Sequence, residues 1–165
     1  MTDASSPRGR LVYRRLGPAD AEALHRLVSH WEVTRQLGSW PWPPDPGFTA
    51  SRAVPYGGDG FVWAVCLEGA LIGTVSVTAG ELGYMFAPGH HGRGYGTEAA
   101  RAAVSRAISD GVRELRAAVW ADNVASRRLL ARLGFTETAR TREMSKARGE
   151  MTDSISFRLR AADFG

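Results

Sequence analysis

Polar and apolar residues alternate over residues 11–16, as expected of a strand with one buried face. The spacing then changes. Leu24, Leu27, Val28 and Trp31 recur at helical intervals, with Pro18 and Asp20 at the expected start. "EVTRQLG" predicts a short second helix closed by Gly38. "SWPWPPDPG" carries four prolines and two tryptophans in nine residues, which excludes helix and central strand. A further short helix fits "FTASRAVPYGG". Next, "GFVWAVCLEG" and "ALIGTVSVTAG" are apolar, β-branched and meet at "EGA", the pattern of a hairpin. "ELGYMFAPG" predicts another strand, ended by Pro88. Residues 95–110 predict a helix stopped by Gly111, and "VRELRAAVW" a strand. "NVASRRLLARLGF" predicts a helix with Ala125, Leu129, Leu130 and Leu133 on its apolar side and Gly134 as C-cap. Two late strands are expected near 137–145 and 151–159.

This order reads β-α-α, three strands, α-β-α, then two strands. It predicts an α+β (mixed α/β) domain, one sheet with helices on its faces. No internal repeat or long linker divides the chain, so residues 10–165 are expected to form a single domain behind a disordered tail, residues 1–9. A length of 165 residues suits one sizeable core. No apolar run approaches the ~20 residues a bilayer span needs, and "MTDASSPRGR" lacks a signal-peptide core. The expectation is a cytoplasmic protein without membrane contact. The single cysteine, Cys66, lies in a strand-like run and reads as a core residue.

The net charge of +4 raises the question of nucleic acid. Lys146 is the only lysine, however, and the arginines are spread along the chain without a basic tail. No nucleic-acid partner is expected. Arginine does suit phosphate, and a modest positive field attracts a polyanionic small molecule. No metal site is expected.

The segment "HHGRGYGTEAARAAVSRAISDG" sets Gly92, Gly94 and Gly96 at alternate positions against the start of a good helix. A helix start offers unpaired N–H groups and the positive end of the dipole. Glycines let backbone approach an anion without a Cβ in the way, and Arg93 adds charge. The glycine spacing matches neither the dinucleotide fingerprint nor the Walker loop.

"HGRGYGTEA" resembles the acyl-CoA pyrophosphate loop of the GNAT N-acetyltransferases, Gln/Arg-x-x-Gly-x-Gly/Ala. His91, Gly94 and Gly96 occupy its fixed positions, with His91 off the usual Gln or Arg. With "HWEVTRQLGSWPWPPD", "ELGYMFAPGHHGRGYGTEA" and "NVASRRLLARLGF", the likeness extends over nearly the whole chain and is similar to the Rim-type subgroup that acetylates ribosomal-protein N-termini. The resemblance implies a twisted, mostly antiparallel sheet of about seven strands with helices on both faces. It also implies acetyl-CoA as cofactor, held by Met85, Phe86, Ala87, His91, Gly92, Arg93, Gly94, Tyr95, Gly96, Thr97, Asn123 and Ser126.

The implied reaction moves an acetyl group from a thioester to a primary amine of a peptide N-terminus or small molecule. The amine must be neutral, the oxyanion needs N–H donors and the departing thiolate needs a hydrogen bond. Met85, Phe86 and Ala87 are the expected oxyanion donors, and Gly83 fits a bulge or a close backbone approach. Glu81 is the candidate base, or merely an exposed strand-start glutamate; His90, His91, Glu143 and Glu150 are weaker candidates. The resemblance implies a tyrosine where Leu130 stands, and Ser126 is the substitute donor to sulfur, unless its hydroxyl only satisfies the helix start. Asn123 binds the pantetheine amides, caps the helix, or both. Trp40 and Trp42 either wall an acceptor pocket or form a flap over the core. The alternative to an enzyme is a non-catalytic acyl-CoA-binding module, and the late strands offer an edge for a homodimer.

Overall fold

Leu11 and Tyr13 are buried while Val12 between them is exposed, so the alternation at the start of the chain does mark a strand with one face in the core. The computed structural model describes residues 4–5 and 10–165; the expected tail lies outside them except for Ala4 and Ser5. The strands are β1 (Ala4–Ser5), β2 (Leu11–Arg15), β3 (Gly60–Leu67), β4 (Ala70–Thr78), β5 (Glu81–Phe86), β6 (Glu114–Trp120), β7 (Thr136–Ser145) and β8 (Glu150–Arg160). The helices are α1 (Ala21–Val28), α2 (Trp31–Thr34), α3 (Pro46–Arg52), α4 (Tyr95–Ser109) and α5 (Val124–Leu133), with short 3-10 turns between some elements.

One sheet runs in the order β1-β2-β3-β4-β5-β6-β8-β7. The α+β architecture with a mostly antiparallel sheet is the expected one: seven substantial strands, plus the two-residue β1. Glu68 and Gly69, at φ 51° and 83°, turn β3 into β4. Two successive left-handed residues give a turn whose twist matches that of the flanking strands. Every neighbouring pair is antiparallel except β5 and β6, which are parallel and aligned at one position only, Glu81 opposite Arg116.

Strand alternation splits the core between the two faces. Leu82 and Phe86 of β5 point into the larger cluster, with Ala99, Ala100, Ala103, Val104 and Ala107 of α4. The small alanines let α4 lie close against the strands. Met85 points the other way, to Leu24, Leu27 and Val28 of α1. The sheet is therefore covered on both sides, and β5 is buried at its centre.

Three boundaries differ from expectation. α1 ends at Val28, and Trp31 opens α2 with its side chain exposed instead of continuing the buried face of α1. α2 ends at Thr34, whose hydroxyl donates to Val28 O (2.5 Å). The chain continues to Leu37 through i to i−3 bonds, Gln36 N to Val33 O and Leu37 N to Thr34 O. The end of the proline-rich segment is helical after all. Asp45 accepts from Gly47 N and Phe48 N, and Pro46 sits at the first position of α3, where its missing N–H costs nothing.

Candidate active site

Past Glu81 and Arg116, β5 and β6 diverge. Ala87 N donates to Ile72 O of β4 (2.9 Å). Amides along an antiparallel ladder alternate sides, so those of Met85 and Gly83 also point to β4. Those of Tyr84 and Phe86 point into the gap, where β6 is no longer paired. Of the three expected oxyanion donors, only Phe86 turns its amide to the gap; Tyr84, not anticipated, is the second. Gly83 carries no bulge, since the β4–β5 register is unbroken; a Cβ there would lie 3.3 Å from Ser76 Oγ. The Phe86 carbonyl is occupied by His91 Nε2 at 2.7 Å, which makes Nε2 the protonated ring nitrogen.

The loop leading to α4 bends through left-handed residues, Gly92 at φ 74° and Gly94 at φ 81°. No atom lies within 4 Å of a Cβ placed on either, so the space beside them is open. The first bond of α4 runs from Glu98 N to Gly94 O (3.0 Å). The amides of Tyr95, Gly96 and Thr97 therefore have no acceptor within the helix. The His91 amide donates to Pro88 O (3.1 Å). At α5, Asn123 accepts from Ser126 N (3.2 Å), so Asn123 is the cap and the Ser126 hydroxyl is not committed to the helix backbone.

These groups meet in one cavity of about 740 Å³. Met85, Phe86, His90, His91, Gly92, Gly94, Tyr95, Gly96, Thr97, Asn123 and Ser126 all border it. Ala87 and Arg93 do not, and Leu130 borders it as a fully buried apolar residue. Tyr84, Glu32, Arg128 and Arg132 border it without having been anticipated. The arginines were legible in principle: Arg128 and Arg132 follow Ala125 and Leu129 on one helical face. Burial raises the Tyr84 phenol to about 12, with a smaller opposing effect from the nearby Ser126 hydroxyl.

Several candidates fall outside the cavity. Glu81 is exposed at the closed end of the gap. Glu143 accepts from Thr141 Oγ1, and Glu150 is exposed at the start of β8. Trp40 packs edge-on to Phe48 and Trp42 against Trp31, both at 5.1 Å between rings. Neither ring borders the cavity, although Leu37 and Gly38 just before that loop do.

Arg148, in the turn between β7 and β8, ties the segment after α2 to the loop before α5. It donates to Arg35 O (3.0 Å), Gln36 Oε1 (3.0 Å) and both oxygens of Asp122 (2.8 and 2.9 Å). This network keeps Asp122 below the usual carboxylate range and fixes the end of α2 against the cleft. Among the described residues no group of three potential ligands could hold a metal ion, and no helix is long and apolar enough to cross a membrane.

Residues 10–136 match the model of the acetyltransferase (GNAT) domain family. The uncharacterized N-acetyltransferase YoaA of Bacillus subtilis (strain 168) is 29% identical over 164 residues, covering 91% of this chain and 93% of that protein. The structure of the ribosomal-protein-S5-alanine acetyltransferase from Vibrio fischeri superposes with a TM-score of 0.80 at 17% identity, covering 100% of both chains. That of yncA from Salmonella typhimurium, solved with its cofactor acetyl-CoA, does so with a TM-score of 0.70 at 21% identity, covering 92% of this chain and 94% of that one.

Proposed function

Since this chain belongs to the GNAT acetyltransferase family, we propose that it transfers the acetyl group of acetyl-CoA to a primary amine, with an α-amino group as the favoured acceptor. The observation that carries this reading is the single cavity joining the opened β5–β6 gap to the free amides of α4. Acetyl-CoA supplies a thioester carbonyl activated for attack by an amine.

The chain's own groups divide the remaining work. The amides of Tyr95, Gly96 and Thr97, with the positive end of α4, suit a pyrophosphate, and Arg128 and Arg132 add charge on the same cavity. Asn123 and the gap-facing backbone of β5 suit an arm carrying amide groups. The amides of Tyr84 and Phe86 are placed to hold a negatively charged oxygen, which such donors stabilise best when fixed in advance. The Ser126 hydroxyl is free to donate to sulfur.

Among the described residues the only carboxylate bordering the cavity is Glu32, with a side chain 62% exposed and 3.3 Å from His30 Nδ1. A solvated carboxylate is a weak base for a lysine, whose pKa is about 10.4, whereas an α-amino group at about 7.7–8.0 is largely neutral near pH 8 without help. An acceptor screen tests this: acetyl-CoA is mixed with peptides bearing free N-termini, lysine-type amines and small amines, and thiol release is recorded. Release with α-amines, with kcat/KM rising to a plateau at the acceptor's own pKa, is the expected result. Tight acetyl-CoA binding without release from any amine would instead mark a non-catalytic binding module.

A further inference from the structure

Tyr84 sits at the centre of β5, its ring against the larger core and its hydroxyl buried beside that of Ser126, without a well-aligned hydrogen bond among the described residues. Leaving a buried hydroxyl unpaired costs free energy of about 1–3 kcal/mol, so a group in this position is normally satisfied by something that enters. Four other buried polar atoms share the condition: Tyr13 Oη, Trp63 Nε1, His90 Nδ1 and Glu98 Oε2. Tyr13, Trp63 and Glu98 do not border the cavity, and His90 belongs to the loop before α4. Tyr84 alone combines a donor without a well-aligned partner, a place beside Ser126 and a backbone amide facing the gap.

We propose that the Tyr84 hydroxyl, together with Ser126, donates the hydrogen bond that receives the sulfur of coenzyme A as it departs. The inference rests on acetyl-CoA entering this cavity. During transfer the amine nitrogen bonds to the thioester carbon, the carbon–sulfur bond breaks and its electron pair stays on sulfur. The proton lost by the amine passes to sulfur or solvent. Tyr84 keeps its own proton: a phenol raised to about 12 does not yield it to a thiolate whose conjugate acid titrates near 8.5. Its contribution is a neutral donor facing a new charge, and such charge-assisted bonds are the stronger kind.

The test follows the thiol of bound coenzyme A by its thiolate ultraviolet absorbance in the wild type, Tyr84→Phe and Ser126→Ala. A donor to sulfur lowers the bound thiol's pKa, so Tyr84→Phe is expected to raise it by about one to two units. Turnover falls at least about tenfold in parallel, while affinity for desulfo-CoA, which has no sulfur to contact, stays unchanged. A bound-thiol pKa identical in wild type and Tyr84→Phe overturns the inference, as does a shift produced by Ser126→Ala alone. If Tyr84→Phe does not fold, the unmutated protein still decides. Its affinity for coenzyme A should rise with pH relative to desulfo-CoA, and a flat ratio rejects the donor. Failure of the wild type to bind either compound would instead remove the proposed function, and this inference with it.

Discussion

A methyl group added at Gly96 would lie 3.3 Å from Leu129 Cδ1, whereas at Gly94 it would meet no atom within 4 Å. The two glycines that carry the family resemblance are thus there for different reasons. Gly94 is needed for its backbone, at φ 81°, and a side chain in the left-handed region costs about 1–2 kcal/mol. Gly96 is helical and could take alanine by propensity, gaining about 1 kcal/mol, but its methyl would press on Leu129 at the cavity wall. Gly94→Ala is therefore expected to lower stability by about 1 kcal/mol and weaken coenzyme A binding. Gly96→Ala should leave stability nearly unchanged and weaken binding alone. Urea unfolding and calorimetric titration of the two variants separate these effects; equal losses of stability would contradict them.

The turn between β7 and β8 reaches across the molecule through two side chains, Lys146 over the Phe48 ring and Arg148. The Arg148 side chain is only 9% exposed, and its planar fork serves Arg35, Gln36 and Asp122 at once. A lysine cannot reproduce that geometry. Arg148→Lys and Arg148→Ala should each cost about 1.5–3 kcal/mol, loosen α2 and raise KM for the acceptor while leaving acetyl-CoA affinity unchanged. Paired KM measurements check this, and an acceptor KM unmoved in both variants would show that α2 needs no such anchor. Nothing in the local sequence points to Arg148, because two of its partners, Arg35 and Gln36, lie more than a hundred positions away in the chain and the third, Asp122, lies 26 away. The same limit explains the other omissions. Tyr84 and Phe86 could be placed on a strand from "ELGYMFAP", but which amides face the gap depends on the parity of the ladder with β4, a property of two strands rather than one. Elements signalled by local chemistry were legible: the glycine turns, α4 with its small apolar face, and the capped start of α5. Pro46 misled because proline forbids a helix interior and suits a helix start, and only the Asp45 cap distinguishes the two.

For the molecule as a whole, one charge pair ties β2 to the start of α1. Asp20, 6% exposed, accepts from both terminal nitrogens of Arg14 (2.7 and 2.9 Å) and from Gly17 N (2.9 Å). The Arg14 hydrogen bonds first, then the Gly17 amide, hold its carboxyl below the ordinary 3.8, against the opposing effect of burial. A carboxyl depressed in the folded state stabilises above its unfolded pKa, and that stability is lost as pH falls through the folded value. Asp20→Asn should therefore be about 1.5–3 kcal/mol less stable than wild type near neutrality. The deficit should shrink once pH drops below about 3.8. Unfolding curves across pH test this, and a deficit constant down to pH 2 would rule out a charge-dependent role. The divergence of β5 and β6 has a consequence of the same global kind. A sheet that opens in its middle has four edges instead of two, and unpaired edges are templates for strands of other chains. Here the two inner edges face each other across a ligand cavity rather than open solvent. A molecule that fills the seam completes the sheet, so coenzyme A should guard this protein against pairing with its own copies as well as serve its chemistry.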